Sequence, residues 1–359
     1  MGKAGDVVFG RSKRLIGLDI GTNSVKVLQL KELSRGYQLV NLGIEQLPPE
    51  VIVDGAIMDA AIVVDAIQKV IRSQKIKTKE VAISVSGSSV IVKKIPLPRM
   101  SEQELEESIQ WEAEQYIPFD IEDVNIDFEI LNPMGSKDSA EMDVVLVAVK
   151  KDKVNDYASL ATQAGLEPAV IDVDGFALSN QYEKNYGIDP NEVIALIDIG
   201  AGVMNINVIQ NGIHGLYRDI PIGGNQYTDA IQKDMNVSYD QAEGLKMGET
   251  IEGISPQEVQ DIINSVNESV AMEIQRSFDY FKATSSNERI DRIVLTGGCS
   301  KVKGLPEFLM DKLGITVERG NPFRNIVYNE KQFDPNLIAN VSPMCAVVVG
   351  LAMRKVGDR

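Results

Sequence analysis

Leu15, Ile16, Leu18 and Ile20 form an apolar run that stops at Gly21, Thr22 and Asn23 and resumes at Val25, Val27 and Leu28. This pattern predicts a strand, a tight turn and a second strand. It returns in ALIDIGAGVMNINVI at 195–209, where Asp198 matches Asp19, Gly200 matches Gly21, and alternation resumes at Ile206 and Val208. The copies lie 179 residues apart, half the chain, which predicts two similar lobes facing each other rather than a short-period solenoid.

Between the copies, Val63, Ile67 and Val70 or Ile71 recur at helical spacing within Asp59 to Ser73, and Val81 to Val85 follows as a strand. Pro96 and Pro98 are expected to break the chain. Ser101 and Glu104 make a capping box for a helix reaching about Tyr116, with an apolar stripe of Leu105, Ile109, Ala113 and Tyr116. Val124, Ile126, Phe128 and Ile130 alternate with polar residues as a half-buried strand. A turn at Pro133 to Ser136, a strand at Val144 to Val149, a helix at Asp152 to Gln163 and a strand at Ala169 to Val173 complete the order. This β-α-β-β-α-β run resembles a split βαβ unit and reads as an inserted small module. In the second half, Gly223-Gly224 opens a helix, further helices span Tyr239 to Met247 and about Pro256 to Phe281, and Ile290 to Leu295 is a strand. Helices from Lys301 to Leu313 and from Ser342 to about Met353 close the chain.

Composition narrows the chemistry. With 44% hydrophobic and 25% charged residues the chain is a folded protein, not a disordered tail or coiled coil. Two cysteines, Cys299 and Cys345, cannot build a disulfide framework, and a single histidine, His214, makes zinc chemistry and His-based triads poor expectations. No run is expected to reach the roughly 18–20 apolar residues of a membrane span, and Lys3, Arg11, Lys13 and Arg14 precede no signal-peptide segment. The chain is therefore expected to be cytoplasmic. Net charge is −16, which argues against a nucleic-acid partner. From Ser101 to Asp143 there are 14 Asp plus Glu against one lysine, Lys137, so −13 of the −16 belongs to the module. That stretch is either a solvated face or an attractor for a basic segment, and it would repel anionic lipid. Trp111 lies off the apolar stripe, about 120° around the helix from Leu105, and either packs inside the module or faces a neighbouring surface or groove.

Asp19 and Asp198 each end an apolar strand before a glycine-containing turn. Backbone N–H groups in such turns can form a nest for phosphate oxygens, and the carboxylate can hold Mg²⁺ through water. Thr22, Asn23 and Ser24 add donors and Lys26 adds a point charge in the first copy; Gly202 and Asn205 are their counterparts in the second. One copy alone is equally an ordinary hairpin turn; two copies favour a triphosphate clamp. No Walker A or dinucleotide fingerprint follows a strand. Gly297-Gly298 either lets a base approach the backbone or is a plain strand-to-helix turn, Gly223-Gly224 can be plain capping, and Glu243 and Lys246 can be a solvated i, i+3 ion pair.

In order, the chain carries GLDIGTNSVK at 17–26, VIDVDGFALS at 170–179, LIDIGAGVMNIN at 196–207, PIGG at 221–224, LTGGCS at 295–300 and SPMCAVVVGLAMR at 342–354. This order resembles the phosphate-1, connect-1, phosphate-2, adenosine and connect-2 motifs of the actin-like ATPase superfamily. The inserted run is similar to the 1C subdomain of FtsA, and IPLP at 95–98, EAEQYIPF at 112–119 and DVDGFAL at 172–178 look most like the PilM family of type IV pilus assembly proteins. The resemblance implies an α/β, actin-like (ribonuclease H-like) duplicated fold with ATP and Mg²⁺ as ligands. It implies that Asp19 and Asp198 hold the metal and that Gly21, Thr22, Asn23, Ser24 and Lys26 meet the phosphates opposite Gly200, Ala201, Gly202 and Asn205. Gly223, Gly224, Glu243, Lys246, Gly297, Gly298 and Lys301 would line ribose and adenine, and Asp174 would either orient an attacking water or be a structural carboxylate at the hinge. The resemblance leaves open whether ATP is hydrolysed weakly or not at all.

The implied division is subdomain 1A at 14–87 with 170–192 and 341–359, 1C at 88–169, 2A at 193–222 with 288–340, and 2B at 223–287. The implied partner is the basic cytoplasmic N-terminal tail of PilN, received in a groove between 1A and 1C, with the pilus inner-membrane platform and its motor ATPases beyond it and self-association as a further expectation. Such a protein sits at the inner membrane through its partners and does not insert into it. An FtsA-like membrane-associated filament scaffold is the alternative reading, which the expected lack of a C-terminal amphipathic anchor disfavours. A small-molecule kinase on the same scaffold is the third.

Overall fold

The computed structural model describes residues 15–131, 140–285 and 289–357. The basic residues of the first 14 positions and the turn expected at Pro133 to Ser136 lie outside them. The first lobe begins with β1 (Ile16–Ile20), β2 (Ser24–Glu32) and β3 (Tyr37–Gln46), a short hairpin β4 (Ile52–Val53) and β5 (Ala56–Ile57), α1 (Ala60–Ser73) and β6 (Glu80–Val85). β1 is buried on both faces, which is why it reads as an apolar run and not as an alternation. Asp59 caps α1, its carboxylate accepting the Ile62 N–H at 3.1 Å, and Val63, Ala66, Ile67 and Val70 turn to the core.

The chain then passes through β7 (Val90–Pro98), α2 (Glu102–Glu114), β8 (Val124–Ile130) and β9 (Glu141–Lys150) before α3 (Lys151–Gln163), β10 (Glu167–Val173) and α4 (Asp174–Tyr186). The six elements of the expected β-α-β-β-α-β run are all present, and the structure divides them between two sheets. β7, β9 and β8 form a three-stranded sheet in that order, whereas β6 and β10 pair in parallel within the first lobe's sheet, β10-β6-β1-β2-β3-β16, closed by β16 (Ile326–Val327). α3 packs with that lobe, burying Tyr157, Leu160 and Ala161 in its core. α2 covers the small sheet through Leu105, Ile109 and Ala113, and its Ser101–Glu104 capping box forms as expected.

The second lobe is β11 (Val193–Ile199), β12 (Met204–Gln210), β13 (Ile213–Ile220), α5 (Gly224–Met235), α6 (Tyr239–Lys246), α7 (Pro256–Thr284), β14 (Arg292–Thr296), α8 (Leu305–Leu313) and β15 (Thr316–Arg319), with sheet order β13-β12-β11-β14-β15. After β16 come α9 (Pro335–Val341) and α10 (Ala346–Ala352).

Three expectations are corrected. Pro96 and Pro98 do not break the chain: they pair with Asp143 and Glu141 inside β7. β7 is an edge strand, so a residue without an N–H costs no ladder bond on its open side. The helix expected from Lys301 starts only at Leu305, because Gly298–Lys301 winds as a 3-10 turn and Gly304 takes a left-handed conformation. Finally, Pro335–Ala352 is long and apolar enough to cross a membrane by length and composition, with a mean hydropathy of 1.5. It is nevertheless interrupted by a 3-10 turn at Ser342–Cys345, and 61% of it is buried inside the fold, which marks a core segment.

Candidate functional site

The two matching segments are antiparallel hairpins with the same register. Asp19 stands opposite Lys26 across β1 and β2, and Asp198 stands opposite Asn205 across β11 and β12. Each hairpin closes alike, the Gly21 N–H donating to Ser24 O at 3.1 Å and the Gly200 N–H to Val203 O at 2.9 Å. The bends converge: a Cβ on Gly202 would stand 2.8 Å from Thr22 Oγ1, so the tip of one hairpin meets the tip of the other. Both line one cleft of about 520 Å³ between the lobes.

Within the cleft the two carboxylates differ. Lys26 Nζ lies 2.9 Å from Asp19 Oδ2, with both side chains nearly buried. Burial works against the lysine's charge, but Asp19 and the hydrogen bond to it outweigh that and hold its pKa above the ordinary value. Among the described residues no cation contacts Asp198: its Oδ1 accepts from Thr296 Oγ1 at 2.7 Å, and burial pushes its carboxyl up to about 7, with the Asp19 and Asp174 charges adding to the rise. Asp174, the first residue of α4, is also held above the usual carboxylate range by burial and by Asp19, against hydrogen bonds from Ser84 and Ser86.

The second lobe supplies the other wall. Gly223 precedes α5 as expected but does not line the cleft; it packs on the hairpin, where Gly224 N–H donates to Gly200 O at 2.9 Å and Asn225 N–H to Ala201 O at 2.8 Å. The Glu243–Lys246 pair is not solvated. Lys246 is buried, its Nζ 2.5 Å from Glu243 Oε1, 2.9 Å from Thr228 Oγ1 and 3.4 Å from Gly224 O, while Thr228 also donates to Glu243. Gly297 has φ +84° and ψ 166°, and a Cβ there would stand 2.3 Å from Ile199 O. This turn thus presses against the end of the hairpin strand, a close approach only glycine allows. Gly298 and Lys301 border the same cleft.

Apart from Gly223, every residue that sequence reasoning singled out lines this one cleft: the first hairpin's Asp19, Gly21, Thr22, Asn23, Ser24 and Lys26, the second's Asp198, Gly200, Ala201, Gly202 and Asn205, and Asp174, Gly224, Glu243, Lys246, Gly297, Gly298 and Lys301. Sequence reasoning missed Lys153 and Tyr157, which enter from α3, and gave no role to Thr296 of the LTGGCS motif, which does not line the cleft but donates to Asp198. Lys153 donates to Gly55 O at 2.6 Å and stands 4.2 Å from the centre of the Tyr157 ring. Among the described residues no group of three or more His, Cys, Asp or Glu could hold a metal as a closed cage. Two separated carboxylates with Asn205 Oδ1 buried and unpartnered nearby instead fit an ion such as Mg²⁺ that keeps most of its waters and takes phosphate oxygens as ligands.

On the inserted module, Trp111 is 79% exposed, which removes the reading that packs it inside. α2 carries six glutamates and no Lys or Arg. A second concavity, of about 1,320 Å³, runs between β7, β13 and α7.

A family model described as "Type IV pilus assembly protein PilM" matches residues 17–356. The solved structure of a PilM-PilN type IV pilus biogenesis complex superposes with a TM-score of 0.87 at 28% identity, covering 97% of this chain and 100% of that one. MreB5 of Spiroplasma citri bound to AMPPNP superposes with a TM-score of 0.53 at 14% identity, covering 95% of each chain. Among curated proteins, the cell division protein FtsA of Neisseria meningitidis is 24% identical over 350 residues, 85% of this chain and 83% of that protein. FtsA of Bacillus subtilis is 26% identical over 259 residues, 64% of this chain and 57% of that protein. The fold is therefore actin-like, as the motif order implied.

Proposed function

Because this chain belongs to the PilM family of type IV pilus assembly proteins, we propose that it is an ATP-binding component of a pilus inner-membrane assembly platform that grips a partner's N-terminal tail. The observation that carries the nucleotide half is the pair of matched hairpins whose tips meet across one cleft. In this reading the N–H groups and side chains of Gly21 to Ser24 hold phosphate oxygens from one side and those of Gly200 to Gly202 from the other. Lys26 supplies a fixed charge, and Asp19 and Asp198 hold Mg²⁺ through its waters. The ion would neutralise the triphosphate charge. Lys246, held by Glu243 and Thr228, and the Gly297-Gly298 turn bound the nucleoside end. Asp174 stays in a network with Ser84 and Ser86, where it is positioned but not free.

The tail half rests on charge. The PilM-PilN complex superposes on nearly the whole chain, and a segment just before a membrane span carries Lys and Arg on its cytoplasmic side. Such a tail would be drawn to the first lobe and its acidic module, which would place this protein at the inner membrane through its partner. The division stated above, with 88–169 as the partner-binding 1C unit, belongs to the same proposal, with the reservation that α3 packs on the first lobe.

The test is calorimetry of the purified protein with MgATP and with a synthetic partner tail, each alone and then together. The expected result is saturable heat in both titrations and a changed tail affinity when ATP is present, the two ligands shifting each other by the same factor. An Asp19→Ala, Lys26→Ala, Asp198→Ala triple variant that still binds ATP as the wild type does would end the nucleotide reading; absent heat with the tail would end the other half.

A further inference from the structure

Asp219, at the end of β13, takes no part in the cleft yet is among the most heavily hydrogen-bonded carboxylates in the fold. Its Oδ2 accepts from the Gly87 N–H at 2.6 Å and from the Tyr217 hydroxyl at 2.9 Å, and its Oδ1 accepts from Asn205 Nδ2 at 2.5 Å. Asn205 Nδ2 also donates to the Tyr217 hydroxyl at 2.9 Å. Burial pushes the Asp219 carboxyl up to about 7, and the Gly87 N–H pulls it back down. The arrangement spans both lobes: Asp219, Tyr217 and Asn205 sit on β12 and β13, whereas Gly87 lies in the connection between β6 and β7 through which the chain enters the inserted module.

The network is also a partition. Asn205 lines the nucleotide cleft, while Gly87, Tyr217 and Asp219 line the second concavity between β7, β13 and α7. Asn205 is buried, and its Oδ1 has no partner. Next to Gly87 in sequence, Ser86 lines the cleft and hydrogen-bonds Asp174. Two adjacent residues at the module's entry thus bind one carboxylate on each side of the wall.

We propose that Asp219 is a positioning residue that transmits occupancy of the cleft to the inserted module: a donor arriving at Asn205 Oδ1 re-aims the amide, the amide moves the Asp219 carboxylate, and the carboxylate carries the Gly87 N–H at the root of β7. This rests on the nucleotide reading above, since the arriving donor is a water brought by MgATP. A ligand that bound the two arrangements equally would move nothing, so the contact must differ between them.

The experiment is amide hydrogen exchange at Gly87 and along 88–95, with and without saturating MgATP, alongside calorimetry of the same samples. In the wild type, MgATP is expected to change exchange at Gly87 by about 5-fold or more, because local opening there requires release of the Asp219 bond. In Asp219→Ala, MgATP should bind within about 3-fold of wild type while Gly87 exchanges fast and no longer responds to nucleotide, a reciprocal coupling lost without loss of either site. If Asp219→Ala fails to fold, the same-shaped Asp219→Asn and the milder Tyr217→Phe should each reduce the nucleotide response, Tyr217→Phe less. Wild-type binding without any change at Gly87, or an Asp219 variant that responds as the wild type does, overturns the coupling and leaves the nucleotide reading intact. No wild-type heat with MgATP overturns both.

Discussion

Gly297 and Gly298 are neighbours in sequence and opposites in what a methyl group would do to them. At Gly297 an alanine must hold φ +84° and ψ 166°, a region that only glycine occupies without strain, at a cost of about 1–3 kcal/mol. Its Cβ would also stand 2.3 Å from Ile199 O and 2.5 Å from Ile199 C, and moving backbone in a packed interior costs about 1–3 kcal/mol more. Taking about 3 kcal/mol as a working value, Gly297→Ala should lower the melting temperature by roughly 6–12 °C. At Gly298 no atom lies within 4 Å of an added Cβ and the residue lines the cleft, so Gly298→Ala should melt within about 3 °C of wild type. Its methyl group instead intrudes on the cleft, and one methylene of misfit in a pocket weakens binding about 10- to 200-fold. Thermal denaturation followed by circular dichroism and an MgATP titration of both variants separate the effects. A Gly297→Ala protein that melts with the wild type would refute the steric argument, and a Gly298→Ala protein that binds MgATP normally would show that this turn does not touch the ligand.

The remaining expectations concern charge. Lys26→Met leaves Asp19 buried without its cation, which should cost about 3–5 kcal/mol in urea denaturation and be partly restored by millimolar Mg²⁺; unchanged stability would mean the pair is more solvated than its geometry implies. Asp198, raised by burial to about 7 from an ordinary 3.8, contributes stability that is complete below about pH 4 and is lost as pH rises through 7. Stability should therefore fall from about pH 4 to pH 7 and level off above, whereas Mg²⁺-dependent nucleotide affinity should rise as pH climbs toward 7 and the carboxylate ionises. Asp198→Asn should make the stability curve shallower, Asp219 keeping its own share, and flatten the affinity curve, and a wild-type affinity independent of pH from 6 to 8 would remove Asp198 from the proposed metal site.

The hairpins were legible because their signal is local: an apolar strand, an acid, a glycine turn and resumed alternation lie within sixteen residues, and a second copy removed the doubt that attaches to one. The Glu243–Lys246 pair was not, since i, i+3 spacing states that two side chains meet but not whether their helix face is covered; here α5 covers it and brings Thr228 to both. Lys153 and Tyr157 carried no signal at all, because their place in the cleft is decided by how α3 packs, not by their neighbours in sequence; Thr296 lay inside the LTGGCS motif, but its bond to Asp198 depends on how β14 pairs with β11. Pro96 and Pro98 misled for a related reason: whether proline ends a strand depends on whether that strand has an open edge, a fact of sheet order. Trp111 was correctly placed off the stripe of α2, and only the fold could show that, among the described residues, no other element comes to cover it.

That last residue has an optical consequence. Trp111 is the chain's single tryptophan, so red-edge ultraviolet excitation of the unmodified protein isolates emission from one spot on the acidic module, with the cleft between the lobes dark. Being open to water it should emit at long wavelength, and the glutamates along its helix should let caesium quench it more readily than iodide. Any molecule that settles over α2 would announce itself as a blue shift and a loss of that cation preference.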